Sequence, residues 1–224
     1  MGIGQDGIGG KRPALSWTGG VPVAEAFGDP YYSLNDGLAE TRHVFLAGNG
    51  LPGRLGDGFR VAELGFGTGL NALALAEAWQ GPGRIAMTSF EAFPMGREDM
   101  VRALSAHPVA HDLREALLAA WPARRIALGG VDLEIVPGDA RETLPAWEER
   151  ADAWFLDGFA PARNPELWGE ELMRQVARHT APGGSFATYT AAGHVRRALA
   201  AAGFEVERVP GYGRKRHMSR GVLR

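Results

Sequence analysis

Hydrophobic and polar positions along this chain alternate between two periods. Arg60–Phe66 (RVAELGF), Ile85–Ala92, Leu133–Pro137, Ala153–Phe159 (AWFLDGF) and Ser185–Thr190 are short apolar runs of strand length. Between them, Leu70–Trp79, Arg97–Ala120, Arg141–Arg150, Glu166–His179 and His194–Ala202 carry helical spacing. Gly81-Pro82 stops the first of these helices, Pro108 interrupts the second, and Pro182-Gly183-Gly184 ends the fourth. Strands that alternate with helices predict an α/β fold, a parallel sheet with helices on both faces. The last two runs, Phe204–Pro210 and Arg216–Leu223, are joined only by GYGRK. A parallel crossover needs about a dozen residues or more, so this pair is expected to form an antiparallel hairpin. The prediction is a seven-stranded, mostly parallel sheet that ends in a C-terminal antiparallel hairpin.

Upstream of the alternating region the pattern is weaker. Residues 1–16 are Gly-rich and expected to fray. Residues 17–224 read as one domain: an N-terminal arm and helix over 17–52, then a core over 60–224. Gly19-Gly20 marks a hairpin or extended arm, and Leu38–Leu46 a short helix ending near Gly48.

Composition narrows the classes. The 224 residues, 45% apolar and 22% charged, suit one globular domain with its own core. The absence of cysteine excludes disulfides, thiolate metal sites and cysteine nucleophiles. No apolar run reaches membrane-spanning length, and the N-terminal residues contain no apolar signal region, so the expected location is cytoplasmic and no membrane partner is expected. The formal net charge of −2 hides an asymmetry. From His194 onward eight basic residues face two acidic ones, whereas the first 193 residues hold 16 basic and 24 acidic. Such a basic stretch is either a phosphate-backbone footprint or a solvated face.

The candidate chemistry lies at the strand ends. Glu63-Leu-Gly65-Phe66-Gly67-Thr-Gly69-Leu-Asn71 links the first strand to its helix, and its glycines allow a tight turn and close ligand approach. Glu91, 22 residues after Gly69, ends the next strand, where a carboxylate can accept both hydroxyls of a ribose. These features fit either a nicotinamide dinucleotide or S-adenosylmethionine. Glu63 favours the latter, because a carboxylate beside the glycines repels a pyrophosphate and attracts an ammonium. Asp139 and Asp157 close the third and fourth strands. Ligands of open α/β sheets bind at the carboxyl ends of strands, so Glu63, Glu91, Asp139 and Asp157 are predicted to converge on one crevice. The parallel sheet with its terminal hairpin is the class I S-adenosylmethionine-dependent, Rossmann-like plan. His107 and His111 have metal-like spacing but flank Pro108 without a third ligand, so they read as a solvated helix end and no metal is expected. The serine of a hydrolase elbow is missing from GFGTG.

The segments DPYYSLNDGLAETRHVFLAGN, ELGFGTGLN, SFEAFP, GDARETL, DAWFLDGFAPARNPELW, FATYTAAGHVRRAL and GYGRKRHM occur in that order. Together they resemble the methyltransferase module of the MnmC/MnmD type, from about Trp17 to Leu223. The resemblance implies transfer of a methyl group from S-adenosylmethionine to the primary amine of 5-aminomethyl-2-thiouridine at the tRNA wobble position. It implies that Gly65, Gly67 and Gly69 line the cofactor loop with Glu63, Phe66 and Asn71. Glu91 would hold the ribose and Asp139 would lie near the adenine. Asp157 would be the catalytic acid, also touching the cofactor. The partner would be a tRNA anticodon stem-loop. Many members carry a fused flavin-dependent module; this chain stops at Arg224, so by resemblance it looks like the stand-alone form, supplied with the aminomethyl precursor by a separate oxidoreductase.

A sulfonium and a thiouracil ring both suit aromatic walls, which nominates Tyr31, Tyr32, Phe66, Phe159, Trp168 and Tyr189. Arg214, Lys215 and Arg216, with Arg196, Arg197 and Arg163, are the candidates for anticodon-loop phosphates. Two other readings stay open on residues alone: a methyltransferase for small-molecule amines, and an RNA-binding module with a vestigial pocket.

Overall fold

The computed structural model describes residues 7–33 and 36–224. Strands β1 (Leu15–Thr18), β2 (Val21–Ala24) and β3 (Asp29–Pro30) form a small antiparallel sheet. Its first turn is Gly19-Gly20, both at positive φ, the two-glycine signature of a tight hairpin. Helix α1 (Gly37–Thr41) is capped by Asp36, whose carboxylate accepts the Ala39 N–H at 2.9 Å. It continues in one wider helical segment, Arg42–Leu46, and then a tighter turn, Ala47–Asn49.

Eight strands form the main sheet: β4 (Arg60–Leu64), β5 (Ile85–Glu91), β6 (Arg125–Leu128), β7 (Val131–Pro137), β8 (Ala151–Leu156), β9 (Thr180–Thr188), β10 (Phe204–Pro210) and β11 (His217–Leu223). Their order is β10-β11-β9-β8-β4-β5-β7-β6. The central pairs β9-β8, β8-β4, β4-β5 and β5-β7 are parallel, and β10-β11, β11-β9 and β6-β7 antiparallel. The chain leaves β4 toward β5 on one side and later returns to β8 on the other. The carboxyl ends of β4 and β8 therefore face a topological switch point, where open α/β sheets bind ligands.

The central strands are buried on both faces. On β4, Val61 joins one core with Leu73, Met87, Leu117, Ile135 and Phe155, while Ala62 joins the other with Phe90, Trp154, Met173 and Leu199. Helices α2 (Leu70–Ala78), α3 (Arg97–Leu104) and α4 (His111–Ala120) cover the first face, and α6 (Glu170–Arg178) and α7 (Gly193–Ala201) the second. Helix α2 is buried from Leu70 to Ala76, because α1 packs over it.

Four elements differ from the sequence expectation. An eighth strand, β6, pairs with β7 across Gly129-Gly130, with Ile126 and Leu128 turned inward. The alternation was visible, and its glycine pair is a hairpin signal. The helix expected over Arg141–Arg150 is only α5 (Ala140–Thr143) and one further turn, because Pro145 cannot extend it. The helix expected from Glu166 begins at Glu170, after a separate turn, Pro165–Trp168, and Gly169. Residues 7–16 are not frayed: Gly7 bridges Ala123, the Ile8 N–H bonds the Pro122 carbonyl at 2.8 Å, and the Ile8 side chain is buried. Residues 1–6 of that expectation, and Leu34 and Asn35 of the DPYYSLND segment, lie outside the described residues. His107, expected in solvent, is buried edge-on to Tyr32. No helix among the described residues is long and apolar enough to cross a membrane.

One buried polar residue docks the arm helix on the sheet. The Asn49 amide donates to the Phe45 and Trp154 carbonyls at 2.9 and 3.2 Å and accepts from the Ser185 hydroxyl at 2.6 Å. Replacing Asn49 with alanine strips these buried groups of partners at a cost of about 1–3 kcal/mol. We expect a lower midpoint in urea unfolding with an unchanged slope; an unchanged midpoint would remove Asn49 from this role.

Candidate active site

A cavity of about 680 Å³ opens at the carboxyl ends of β4, β5, β7 and β8, within the ~300–1,000 Å³ usual for small-molecule sites. Its floor is the turn after β4, where Gly65, Gly67 and Gly69 have φ of 87°, 56° and 79°. A side chain at Gly69 would strike Phe66 and Leu117 at under 3 Å. That glycine serves helix packing, while Gly65, Gly67 and Asn71 line the space itself.

Glu91 enters from the end of β5 and is 8% exposed. Its oxygens accept the Gly67 N–H at 2.9 Å and the Phe93 N–H at 2.7 Å. Burial raises its pKa, and the backbone N–H groups oppose the rise. Each oxygen is thus fixed in place, as bidentate capture of a diol requires.

Asp157 follows β8. Oδ1 accepts the Gly158 N–H at 2.8 Å and Oδ2 accepts from the Asn71 amide at 2.9 Å. Burial drives its pKa from 3.8 to about 7; the Gly158 and Asn71 hydrogen bonds hold it from rising further, Glu40 adds to it, and Lys215 lowers it. Asn71 is itself locked. Its carbonyl accepts the Thr41 hydroxyl at 2.8 Å, and its amide also donates to Glu63 at 2.7 Å.

Glu63 does not touch the cavity. It is completely buried behind Asn71, with Ser89 donating to its other oxygen at 2.5 Å. Burial drives its pKa well above the usual carboxylate range. The expected four-acid convergence is therefore three acids in the cavity, Glu91, Asp139 and Asp157, and one behind it. Asp139 caps α5 and is gripped through both oxygens by Arg141, which lowers its pKa.

The arm roofs the cavity. Asp29 accepts the Ala160 N–H at 2.7 Å, Phe27 stacks on Phe159 at 4.5 Å, and Tyr31 meets Phe159 edge-on at 5.2 Å. The other proposed aromatic contacts are partly committed elsewhere. Phe66 stacks on Trp121, Trp168 donates to the Phe159 carbonyl, Tyr32 donates to Ala103, and Tyr189 donates to Gly158. Lys215 turns inward to Glu40 and over the Tyr189 ring. Arg214 and Arg216 are exposed outside the cavity, and Arg163 is exposed beside the Gly28 turn.

Sequence reading missed Asp29, Glu40, Phe27 and Phe93, which line the cavity. The acids sit in DPYYSLNDGLAE, where no periodic pattern reveals what they face. Phe93, two residues past Glu91, was marked only by proximity.

These residues fit S-adenosylmethionine. The glycine floor, the fixed Glu91 carboxylate and Asp157 offer acceptors for hydroxyls and a cation, whereas a pyrophosphate there would meet two carboxylates. A family model described as S-adenosyl-L-methionine-dependent methyltransferase matches residues 105–224. The chain belongs to that family.

The methyltransferase is 47% identical over 210 residues to the tRNA 5-methylaminomethyl-2-thiouridine biosynthesis bifunctional protein MnmC of Caulobacter vibrioides, covering 88% of this chain and 36% of that one. It is 47% identical over 232 residues to the protein of the same name from Pseudomonas aeruginosa, covering 95% and 35%. It thus spans about a third of the length of these relatives. MNMC2 from Aquifex aeolicus shares the fold with a TM-score of 0.75 at 24% identity, over 96% of this chain and 71% of that one. The precorrin-6y C5,15-methyltransferase from Geobacter metallireducens shares it at 0.51 and 16% identity, over 83% and 87%. The fold is thus class I, with β6 added to the seven strands expected.

Asp157 has a thermodynamic cost. A carboxyl whose folded pKa is raised holds its proton more tightly folded than unfolded, so ionising it destabilises the fold. The cost is absent below its unfolded pKa of 3.8 and complete above about 7, where it is worth roughly 4 kcal/mol. Asp157→Asn should therefore raise Tm at pH 8 by about 10 °C and change it little at pH 4. Equal shifts at both pH values would contradict this.

Proposed function

We propose that the methyltransferase transfers a methyl group from S-adenosylmethionine to the primary amine of 5-aminomethyl-2-thiouridine at the wobble position of tRNA, giving 5-methylaminomethyl-2-thiouridine. The observation that carries the reading is a half-buried carboxylate, Asp157, sharing one cavity with the glycine turn and Glu91. The printed names of the relatives support the choice of substrate.

Bound in the cavity, S-adenosylmethionine supplies a methyl carbon on a cationic sulfur. Glu91 would hold its ribose, and Phe93 and the chain near Asp139 would border its adenine. An amine attacks only through a free lone pair, so the attacking nitrogen must be neutral. Asp157 accepts an N–H of that amine and so aims the lone pair. As positive charge moves onto nitrogen, the fixed carboxylate stabilises it without reorganising. Asn71 and the Gly158 N–H keep the carboxylate in place.

A wobble base must leave the anticodon stack to reach the cavity. Arg214 and Arg216 on the turn between β10 and β11, with Arg197 on α7, are exposed cations for the flanking phosphates. They pair with no acid among the described residues. Lys215 stands apart from them, committed to Glu40.

The deciding experiment is nucleoside mass spectrometry. tRNA carrying 5-aminomethyl-2-thiouridine, incubated with the protein and S-adenosylmethionine, should gain one methyl on that nucleoside; turnover of a free amine with no gain on tRNA would replace the reading. Asp157→Ala should lower methyl transfer by about 10²- to 10³-fold and S-adenosylmethionine affinity, measured by calorimetry, by about tenfold or less, since Glu91 and the glycine turn remain. In the wild type, the rate should rise with pH through an acid limb near 7, as Asp157 ionises. Full activity in Asp157→Ala would strip the residue of its role.

A further inference from the structure

Glu40 is a buried acid in the cavity that the reaction above does not use. It projects from α1, its side chain is 10% exposed, and one oxygen accepts the Ser33 N–H at 3.1 Å. The other oxygen accepts from Lys215 Nζ at 2.8 Å, and the same Nζ lies 4.0 Å from the centre of the Tyr189 ring. A carboxylate beside an aromatic face is how proteins hold an ammonium. The group held here is a primary amine on a methylene, the same chemical group as an aminomethyl substituent.

The two partners are unequally placed. Glu40 cannot be left buried without a positive or hydrogen-bonding partner. Lys215, 45% exposed on the turn between β10 and β11, regains hydration on leaving, so the cost of separation falls on Glu40 and is met when another cation or N–H donor takes its place. The pair is thus easily exchanged for another ammonium or amine. Glu40 and Asp157 border the same cavity, and the charges of Glu40 and Lys215 are both felt at Asp157.

We infer that Glu40, with the Tyr189 face, is a second acceptor for the substrate's primary amine, occupied by Lys215 until substrate displaces it. This rests on the methyl-transfer reading. A neutral primary amine has two N–H bonds and one lone pair. Asp157 takes one N–H and Glu40 the other, which leaves the lone pair as the only direction free to face the methyl donor. The product forms as a secondary ammonium with two N–H bonds; once it has given one proton to Glu40 or Asp157, the neutral methylated amine has a single N–H and satisfies only one of the two acids. The site therefore selects primary over secondary amines and favours stopping after one methyl. Lys215, released beside Arg214 and Arg216, is free to meet a phosphate of the same substrate.

The test is equilibrium binding in the absence of S-adenosylmethionine, by fluorescence anisotropy. Three labelled anticodon stem-loops are compared, carrying uridine, 5-aminomethyluridine or 5-methylaminomethyluridine at the wobble position. The wild type should prefer the aminomethyl loop over the uridine loop by roughly tenfold, with the methylated loop between them. Glu40→Gln should abolish that preference while binding the uridine loop as the wild type does. Glu40→Asp should retain part of the preference, and Lys215→Met should keep it. A full preference in Glu40→Gln, its loss in Lys215→Met, or no preference in the wild type would overturn the inference and leave the methyl-transfer reading standing. So would failure of Glu40→Gln to bind the uridine loop, which would mark Glu40 as structural. Wild-type protein that bound none of the loops would overturn both.

Discussion

A half-buried carboxylate without a cation in direct contact is the constraint around which this molecule is arranged. Asp157 keeps its place through two donors, the Gly158 N–H and the Asn71 amide. Asn71 can serve only because its own carbonyl is held by Thr41 and its amide is shared with Glu63. Thr41 belongs to the arm helix, Asn71 to the first helix of the core, Glu63 to the central strand, and Ser89, which holds Glu63, to the next strand. One network of short hydrogen bonds thus ties four elements to the acid. Thr41, Asn71, Glu63 and Ser89 are buried, so a missing partner among them leaves a polar group stranded.

The loop after β8 shows the same economy in its backbone. Gly158 has φ of 140°, and a side chain there would collide with Leu167. Its carbonyl accepts the Tyr189 hydroxyl, the Phe159 carbonyl accepts the Trp168 indole, and the Ala160 N–H reaches Asp29. Two side chains from elsewhere in the chain, Asp29 and Tyr189, and the nearby Trp168 therefore set the path of a few residues. The loop that carries the acid is held by these three hydrogen bonds.

Much of this was legible beforehand. The parallel core, the hairpin of β10 and β11, the glycine turn, and the cavity positions of Glu91, Asp139 and Asp157 follow from periodicity and from the rule that ligands meet strand ends. Glu63 was assigned to the cavity because it sits beside the glycines. In a strand, however, successive side chains point to opposite faces, and Glu63 lies one residue too deep, facing Ser89 and Asn71 instead. The arm was the least legible part. Asp29 and Glu40 act through contacts with residues 131 and 175 positions away, and no local pattern records such partners. Lys215 was placed with its basic neighbours by charge alone, yet it turns inward while Arg214 and Arg216 stay in water. Sequence reports the sign of a side chain but not which way a turn will throw it.

The cavity is walled at one extreme by Lys11 and Asp29 and at the other by Lys215. During synthesis the early wall leaves the ribosome long before its counterpart exists, and the glycine turn and the acid emerge between them. Until the final hairpin joins the sheet, Glu40 has no lysine to answer it, and the nascent chain carries acids with no enclosure. Closure of this side of the cavity therefore waits for the hairpin of β10 and β11.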